Sequence, residues 1–152
     1  MYFAIRDFQP EDFETLWRID QDCFPPGIAY TRPELKSYMR RRRSFTLVAT
    51  RGGSGEIAGF LLAYESNPGH IITIDVVGSA RRASVGSDLL GTAEDRLRAA
   101  GARAVELETA VDNLSAISFY KRRGYSVLRT WPRYYSNGVD ALVLKKDLEP
   151  IP

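Results

Sequence analysis

The apolar and polar positions of this chain divide it into short segments of two kinds. Alternating or continuous apolar stretches predict β-strands, whereas apolar positions three or four residues apart predict helices. Seven strands are predicted, at residues 2–8, 45–51, 56–64, 70–77, 104–109, 125–130 and 139–145. Two helices are predicted after the first strand, one after the fourth and one after the fifth. This order indicates a single α/β domain over residues 1–152, with a mixed sheet and helices on its faces.

The first predicted helix carries one polar residue on its otherwise apolar face. That face is formed by Phe13, Leu16, Trp17, Asp20 and Phe24. The following Pro25-Pro26-Gly27 segment is expected to end the helix, because it combines two prolines with a glycine.

The second predicted helix begins at Thr31 and Glu34, which have the spacing of a capping box. It is predicted to continue into residues 40–43, four consecutive arginines. We interpret this run as a solvated helix C-terminus, where cations complement the helix dipole. On the third predicted helix, Glu94 and Arg98 have the spacing of a favourable ion pair one turn apart.

Residues 76–90 contain the stretch around which the chain is organised. Val76 and Val77 end a strand, a basic turn of small residues follows, and a long amphipathic helix begins near Val85. A helix start leaves backbone N–H groups without intrahelical partners and carries the positive end of the helix dipole. With little side-chain bulk in the way, this turn is predicted to hold phosphate groups.

Candidate acid–base residues lie on the two central strands. Asp75 interrupts the nearly continuous apolar strand 70–77 and is a candidate site residue. His70 lies at the other end of that strand, far from the basic turn, so we interpret it as structural. Glu106 and Glu108 project from the same face of the next strand.

Composition excludes several functional classes. The net charge of +2 offers no general reason to expect nucleic-acid binding. The sequence has one cysteine, which excludes an internal disulfide. With one cysteine and one histidine, a transition-metal site built from these ligands is not expected. The sequence has neither a membrane-spanning run nor the apolar core of a signal peptide, so a cytoplasmic protein is expected.

Three motifs carry a family resemblance. Arg81-Arg82-Ala83-Ser84-Val85-Gly86 lies between a strand and a helix and resembles the (Gln/Arg)-x-x-Gly-x-(Gly/Ala) motif of the GNAT superfamily of N-acetyltransferases. Asn113-x-x-Ala116-Ile117-x-Phe119-Tyr120-x-x-x-Gly124-Tyr125 resembles that family's asparagine–helix–tyrosine segment. The spacing of Glu108 to Asn113 and Tyr120, and the tail at residues 133–142, are similar to those of the bacterial ribosomal-protein alanine N-acetyltransferases, the RimI-like enzymes.

The resemblance implies a GNAT fold, with a central, largely antiparallel twisted sheet of about seven strands and helices on both faces. It implies acetyl-CoA as donor, a primary amine as acceptor and no metal. The cosubstrate would be bound by Val76, Val77, Arg81, Arg82, Ala83, Ser84, Val85, Gly86, Ser87, Asn113 and Tyr120. Backbone amides of residues 82–87 would hold the pyrophosphate, and an N–H near Val77 would stabilise the oxyanion of the tetrahedral intermediate.

Two further roles follow from the resemblance. Glu108 is expected to be the general base, acting through a water, with Glu106 as the alternative. Tyr120 is expected to be the general acid that protonates the departing thiolate. Periodicity alone would instead place Tyr120 in the core with Leu114 and Ile117.

The acceptor side is predicted to include Tyr30, Asp75, Glu106, Tyr134 and Tyr135. The three tyrosines are interpreted equally well as ordinary loop aromatics. A terminal α-amine has a pKa of ~8 against ~10.4 for a lysine side chain, so a single carboxylate base favours a protein N-terminus. The alternatives are a small-molecule amine as acceptor, or a non-catalytic module that binds acyl-CoA. Both a monomer and a homodimer fit the sequence.

Two positions depart from the family pattern. Ser84 stands where the family usually has its first glycine, and its Cβ would cause strain if the backbone there requires a positive φ. Its hydroxyl would instead suit a helix start or a phosphate contact. The segment from Phe24 to Thr31 lacks the Pro-Trp-Ser type of sequence that RimI-like enzymes carry near the acceptor.

Overall fold

A computed structural model describes residues 2–81 and 84–149 of the chain. The strands are β1 (Phe3–Asp7), β2 (Ser44–Arg51), β3 (Ile57–Tyr64), β4 (Gly69–Val76), β5 (Ala104–Ala110), β6 (Ser126–Trp131) and β7 (Ala141–Asp147). The α-helices are α1 (Phe13–Cys23), α2 (Arg32–Arg40), α3 (Val85–Ala99) and α4 (Leu114–Arg122). The predicted mixed α/β class and the predicted order of elements are confirmed. The assignment of residues 1–152 to a single domain stays a prediction.

The strands form one sheet in the order β1-β2-β3-β4-β5-β7-β6. Neighbouring strands are antiparallel except for β4 and β5, which run parallel. Helices α1 and α2 cover one face, where Leu16 and Leu35 pack on Phe60 and Leu62. Helix α3 covers the other face, where Leu89 and Leu97 join the larger core cluster with Tyr120 of α4. The predicted arrangement of helices on both faces is therefore confirmed.

Strands β4 and β5 separate along their length. They pair only at Gly69↔Val105, His70↔Glu106 and Ile71↔Leu107, although each continues for several residues beyond. Opposite β3, the register of β4 shifts by one residue at Ile72, which is a β-bulge. The carboxyl halves of the two strands therefore border a gap, which we call the β4–β5 cleft (Thr73–Val76 facing Glu108–Ala110).

The bulge also decides which side chains of β4 face α1. Ile71 pairs with Ala63 and packs in the α3-side core, whereas Thr73 pairs with Leu62 of the α1-side core. Because side chains alternate along a strand, Asp75 follows Thr73 onto the α1 side. Asp75 lies opposite Phe60 and has no exposed surface.

Two local predictions were wrong. Helix α2 ends at Arg40 rather than continuing through the arginine run, because the chain turns there and the Ser44 hydroxyl donates to the carbonyl oxygens of Met39 and Arg41. Glu94 does not pair with Arg98. It accepts hydrogen bonds from the Tyr125 hydroxyl at 2.7 Å and from Lys146 at 2.9 Å.

An ion pair holds the start of α1 to the first strand. Both guanidinium nitrogens of Arg6 donate to Asp12, at 2.7 and 2.9 Å, and Asp12 also accepts from the N–H of Gln9 at 2.8 Å. The Asp12 carboxylate is 7% exposed, whereas the Arg6 side chain is 33% exposed. The hydrogen bonds from Arg6 hold the pKa of Asp12 below its usual value.

We expect Asp12→Asn to lower the free energy of unfolding at neutral pH by ~1–2 kcal/mol, since a charge-assisted hydrogen bond to a half-exposed arginine is lost. A carboxyl with a lowered native pKa contributes stability above its unfolded pKa and loses it as pH falls through the native pKa. The difference between variant and wild type should therefore shrink in acid, as measured by urea unfolding. Asp95→Asn, which alters an exposed pair with Arg98, is the control. A difference that is independent of pH would contradict this account.

Candidate active site

The N-terminus of helix α3 is open. The first helical hydrogen bond runs from the N–H of Asp88 to the carbonyl of Ser84, at 2.9 Å. The N–H groups of Val85, Gly86 and Ser87 come before that bond and therefore have no intrahelical acceptor. The side chain of Ser84, at the N-cap position, makes no capping hydrogen bond. These amides form the anion-binding end of a helix dipole.

Ser84 adopts a left-handed backbone conformation at the start of α3, with φ of 65°. This is the conformation in which a Cβ causes strain and glycine is preferred. The hydroxyl of Ser84 does not cap the helix. It lies 3.4 Å from a carboxylate oxygen of Asp88. The expectation that Ser84 would serve as a side-chain helix cap is therefore wrong, and its backbone is strained instead.

Helix α4 packs close against the start of α3. A Cβ at Gly86 would lie 3.2 Å from the ring of Phe119, which is tighter than ordinary contact. Val85 is buried beside it at 1% exposure. The small residue at position 86 thus lets the start of α3 approach the ring of Phe119 on α4.

At the end of β4, the backbone groups of Val76 and Val77 point in different directions. The N–H of Val77 donates to the carbonyl of Ala58 at 2.9 Å, so it is used within the sheet. Because backbone groups alternate sides along a strand, the N–H and carbonyl of Val76 point toward the β4–β5 cleft. The Arg81 side chain folds back onto that carbonyl, with Nε at 3.1 Å. Of the N–H groups near Val77, that of Val76 is therefore the candidate oxyanion donor, since the Val77 N–H is used within the sheet.

Glu108, on the β5 side of the cleft, has two hydrogen-bond partners. His70 Nε2 lies 2.7 Å from Glu108 Oε1, and the hydroxyl of Tyr134 donates to the same oxygen at 3.5 Å. Since an ionised carboxylate only accepts, Nε2 must carry the proton in this contact. The Glu108 side chain is 13% exposed, which leaves it within reach of a water or a small group.

His70 was interpreted as structural, and the structure adds a contact of this side chain that the sequence did not reveal. His70 is far from the basic turn along β4, but the parallel pairing of β4 with β5 places it diagonally next to Glu108. The signal in the sequence was the position of one histidine and two glutamates on neighbouring strands. That signal has meaning only once the strand pairing is known.

Glu106 has a different environment from Glu108. The Glu106 carboxylate lies 4.0 Å from Arg129 on β6. In the sheet, residue 106 is the register partner of His70 on β4. Among the described residues, the Tyr134 hydroxyl contacts Glu108, whereas the Arg129 guanidinium contacts Glu106. The two glutamates share a face, as predicted, but only Glu108 borders the cleft.

Tyr120 and Asn113 bring helix α4 to the cleft. Tyr120 is 8% exposed and packs edge-to-face with Phe119 and Tyr125, at centroid distances of 5.2 and 5.7 Å. Burial raises the pKa of its hydroxyl, so Tyr120 remains protonated at neutral pH. Asn113 caps α4, its Oδ1 accepting from the N–H of Ala116 at 3.2 Å, and this bond leaves the amide nitrogen of Asn113 available.

The predicted acceptor tyrosines lie in two loops near Glu108. Tyr134 packs on Tyr135 at 5.0 Å and on Trp131 at 5.3 Å, and Tyr30 packs on Tyr38 at 5.4 Å. Burial, together with the Glu108 charge, raises the pKa of Tyr134 to about 12, and burial also raises the pKa values of Tyr30 and Tyr135. The two loops meet where Ser136 donates from its backbone N–H and its hydroxyl to the carbonyl of Gly27.

A sequence profile described as the acetyltransferase (GNAT) family matches residues 13–125. The chain belongs to the GNAT family. Members of this family use acetyl-CoA, and the chain is accordingly a GNAT acetyltransferase with acetyl-CoA as its cosubstrate.

Similar proteins extend over nearly the whole chain. N-alpha-acetyltransferase daf-31 of Caenorhabditis elegans is 31% identical over 154 residues, which cover 95% of this chain and 82% of the relative. The structure of Ard1 from Thermoplasma volcanium matches with a TM-score of 0.88 at 27% identity, covering 98% of this chain and 99% of that one. The ribosomal-protein-S18-alanine N-acetyltransferase from Escherichia coli shares the fold, with a TM-score of 0.83 at 21% identity and coverages of 99% and 97%.

The described residues fit the cosubstrate of a GNAT enzyme. The uncapped amides of Val85, Gly86 and Ser87 suit a pyrophosphate, and the Val76 backbone faces the cleft in which an extended arm would lie. Arg82 and Ala83, also predicted at this site, lie outside the described residues. Within the described ranges no three His, Cys, Asp or Glu side chains are grouped to hold a metal ion. None of the helices described there is long and apolar enough to cross a membrane.

We expect Ser84→Gly to stabilise the start of α3 by ~1 kcal/mol, because glycine adopts φ of 65° without strain. Acetyl-CoA should bind with equal or higher affinity, measured by calorimetry alongside a thermal melt. Ser84→Ala is the matched control, since it removes the hydroxyl and keeps the Cβ. Clearly weaker binding in both variants would show instead that the serine hydroxyl is itself a ligand.

Proposed function

We propose that this GNAT enzyme transfers the acetyl group of acetyl-CoA to the terminal α-amine of a protein or peptide. The observation that carries the proposal is Glu108, a carboxylate held by His70 and Tyr134 at the edge of the β4–β5 cleft. A terminal α-amine, with a pKa of ~8, needs only one such base to become a nucleophile near neutral pH. The name of the C. elegans relative, an N-alpha-acetyltransferase, supports the same acceptor class.

In this proposal Glu108 removes a proton from the ammonium form of the acceptor through a water. The amine nitrogen then forms a bond to the acetyl carbonyl carbon and loses its second proton through the same water to solvent, and the carbon–sulfur bond breaks as the thiolate leaves. His70 keeps the carboxylate oriented toward the cleft by donating to Oε1 from the opposite strand. The Val76 N–H is the candidate donor to the oxyanion that forms in between.

Tyr120 stabilises the departing sulfur in the same scheme. Its hydroxyl is protonated at neutral pH because burial raises its pKa above the usual value for tyrosine. A thiol with an ordinary pKa of ~8.5 is more acidic than such a hydroxyl. We therefore assign Tyr120 the donation of a hydrogen bond to the leaving sulfur, with the last proton supplied from solvent.

The acceptor would lie between the loop of residues 24–31 and the loop of residues 132–140. Tyr30 comes from the first loop, and Tyr134 and Tyr135 come from the second. Aromatic walls beside a carboxylate suit a peptide end, because the rings contact the chain while the carboxylate faces its amine. The lone Cys23 thiol favours a reducing compartment and hence a cytoplasmic setting.

Thiol release from acetyl-CoA should be measured with a panel of peptides that differ only in their first residues. We expect turnover with free N-termini and none with the same peptides after their N-termini are blocked, even when they contain lysine. Polyamines, free amino acids and aminoglycosides form the comparison set. Turnover on these small amines without turnover on any peptide would contradict the proposal. Tight binding of acetyl-CoA without turnover on any amine would indicate a non-catalytic acyl-CoA-binding module.

Glu108→Gln should lower kcat by about a hundredfold or more, the usual contribution of a general base, while the Kd for acetyl-CoA stays unchanged. Tyr120→Phe should also lower kcat without weakening acetyl-CoA binding. Glu106→Gln is the discriminating comparison and should lose far less activity, because its carboxylate interacts with Arg129. If Glu106→Gln is the inactive variant and Glu108→Gln is not, the assignment of the base is wrong.

A further inference from the structure

Asp20 and Asp75 form a buried pair of carboxyl groups next to the proposed acceptor site. Asp20 lies on α1 and Asp75 on β4, and both are 0% exposed. One oxygen of each is used: Asp20 Oδ2 accepts from the N–H of Tyr30 at 2.7 Å, and Asp75 Oδ1 accepts from the Thr73 hydroxyl at 2.5 Å. Two strongly polar groups are thus enclosed between a helix and the sheet.

The remaining oxygens, Asp20 Oδ1 and Asp75 Oδ2, have no donor among the residues that the structure describes. Each carboxyl group affects the pKa of the other, so the two lie at close range. Two ionised carboxylates have no proton to donate, whereas a proton on one of the pair makes that group a donor to the other. One proton between the two groups therefore supplies the donor that the remaining oxygens lack.

Within residues 2–81 and 84–149, no cation is among the groups that set the pKa of either carboxyl group. The titratable groups that face it are Cys23 on α1, Tyr30 on the loop, Glu34 on α2 and Tyr120 on α4. None of these is a cation, and the nearby guanidinium of Arg81 lies against Cys23 at 3.6 Å. Burial, followed by the presence of Asp20, raises the pKa of Asp75 well above its usual value, and burial also raises the pKa of Asp20.

Asp20 in turn positions the loop that carries Tyr30. The backbone of Tyr30 is held on both sides, its N–H by Asp20 and its carbonyl by Trp17 Nε1 at 3.0 Å and Gln21 Nε2 at 2.7 Å. All three holding side chains come from α1. The same loop contacts residue 136 through the carbonyl of Gly27, so a shift of this loop would move both walls of the proposed acceptor groove.

We propose that Asp20 and Asp75 share one proton and act as positioning residues, which fix Tyr30 and its loop for binding of the acceptor. The assignment of the acceptor side rests on the proposed function. The shared proton itself does not. When alkaline conditions remove the proton, two like charges face each other in a buried site, and Tyr30 loses its fixed position.

Three substitutions separate this role from a purely structural one. Asp75→Asn keeps an acceptor for Thr73 and supplies an amide donor to Asp20 without a titrating proton. Asp75→Ala removes the contact altogether. Asp12→Asn, away from the loop, is the control for a general loss of stability.

Acetylation kinetics test the positioning role. We expect Asp75→Ala to raise the KM for the peptide acceptor about tenfold, the equivalent of one lost buried hydrogen bond, while the KM for acetyl-CoA stays unchanged. Asp75→Asn should restore the acceptor KM. In alkaline buffer the ratio of the wild-type acceptor KM to that of Asp75→Asn should rise. The titration of the acceptor amine affects both enzymes equally and cancels in this ratio. Equal changes in both KM values, or a failure of Asp75→Asn to restore binding, would overturn the role.

Two measurements need no acceptor, so they separate a failure of this inference from a failure of the proposed function. The infrared spectrum of the wild type at neutral pH should contain the band of a protonated carboxyl group, and Asp75→Asn should lack it. In a Trp131→Phe background, the fluorescence of Trp17 should change in alkaline buffer for the wild type and not for Asp75→Asn, because its indole contacts the Tyr30 carbonyl. Absence of the carboxyl band in the wild type would overturn the shared proton, even if Asp75→Ala fails to fold.

Discussion

The separation of β4 from β5 is the constraint on which the rest of the structure depends. Three paired residues hold the two strands together, and beyond them each strand leaves its backbone groups facing a gap. A gap in the middle of a sheet would be unfavourable if nothing occupied it, because buried N–H and carbonyl groups need partners. Here the start of α3 lies beside Val76 at the end of β4, with Phe119 of α4 packed against it. The cleft is thus a natural place for an extended ligand that carries both phosphate and amide groups.

The β-bulge at Ile72 couples this cleft to the opposite face of the sheet. By adding one residue to β4, it turns Thr73 and Asp75 toward α1 while Val76 keeps its backbone toward the cleft. One strand therefore carries the proposed cosubstrate contact of Val76 on its edge and the buried carboxyl of Asp75, next to the proposed acceptor site, on its face. In this proposal the two halves of the chemistry are held by adjacent residues.

Much of the fold was predictable because it depends on local patterns. The capping box at Thr31 forms where it was expected, α3 begins at Val85, and Asn113 caps α4. The contact between His70 and Glu108 was not predictable, since it arises from parallel pairing between strands far apart in the sequence. Asp20 was visible as a polar residue on an apolar helix face, but its partner was not. Glu94 was misassigned because tertiary partners displaced the helical one.

The hydrogen bond between His70 and Glu108 makes the orientation of Glu108, the proposed base, sensitive to the width of the cleft. The two side chains belong to different strands and meet just where pairing between those strands ends. A small outward movement of β5 would lengthen the 2.7 Å contact and release the carboxylate from its orientation. The length of this hydrogen bond thus depends on the distance between the two strands. If Glu108 is the base, as proposed, its orientation depends on how far β4 and β5 are separated around the ligand.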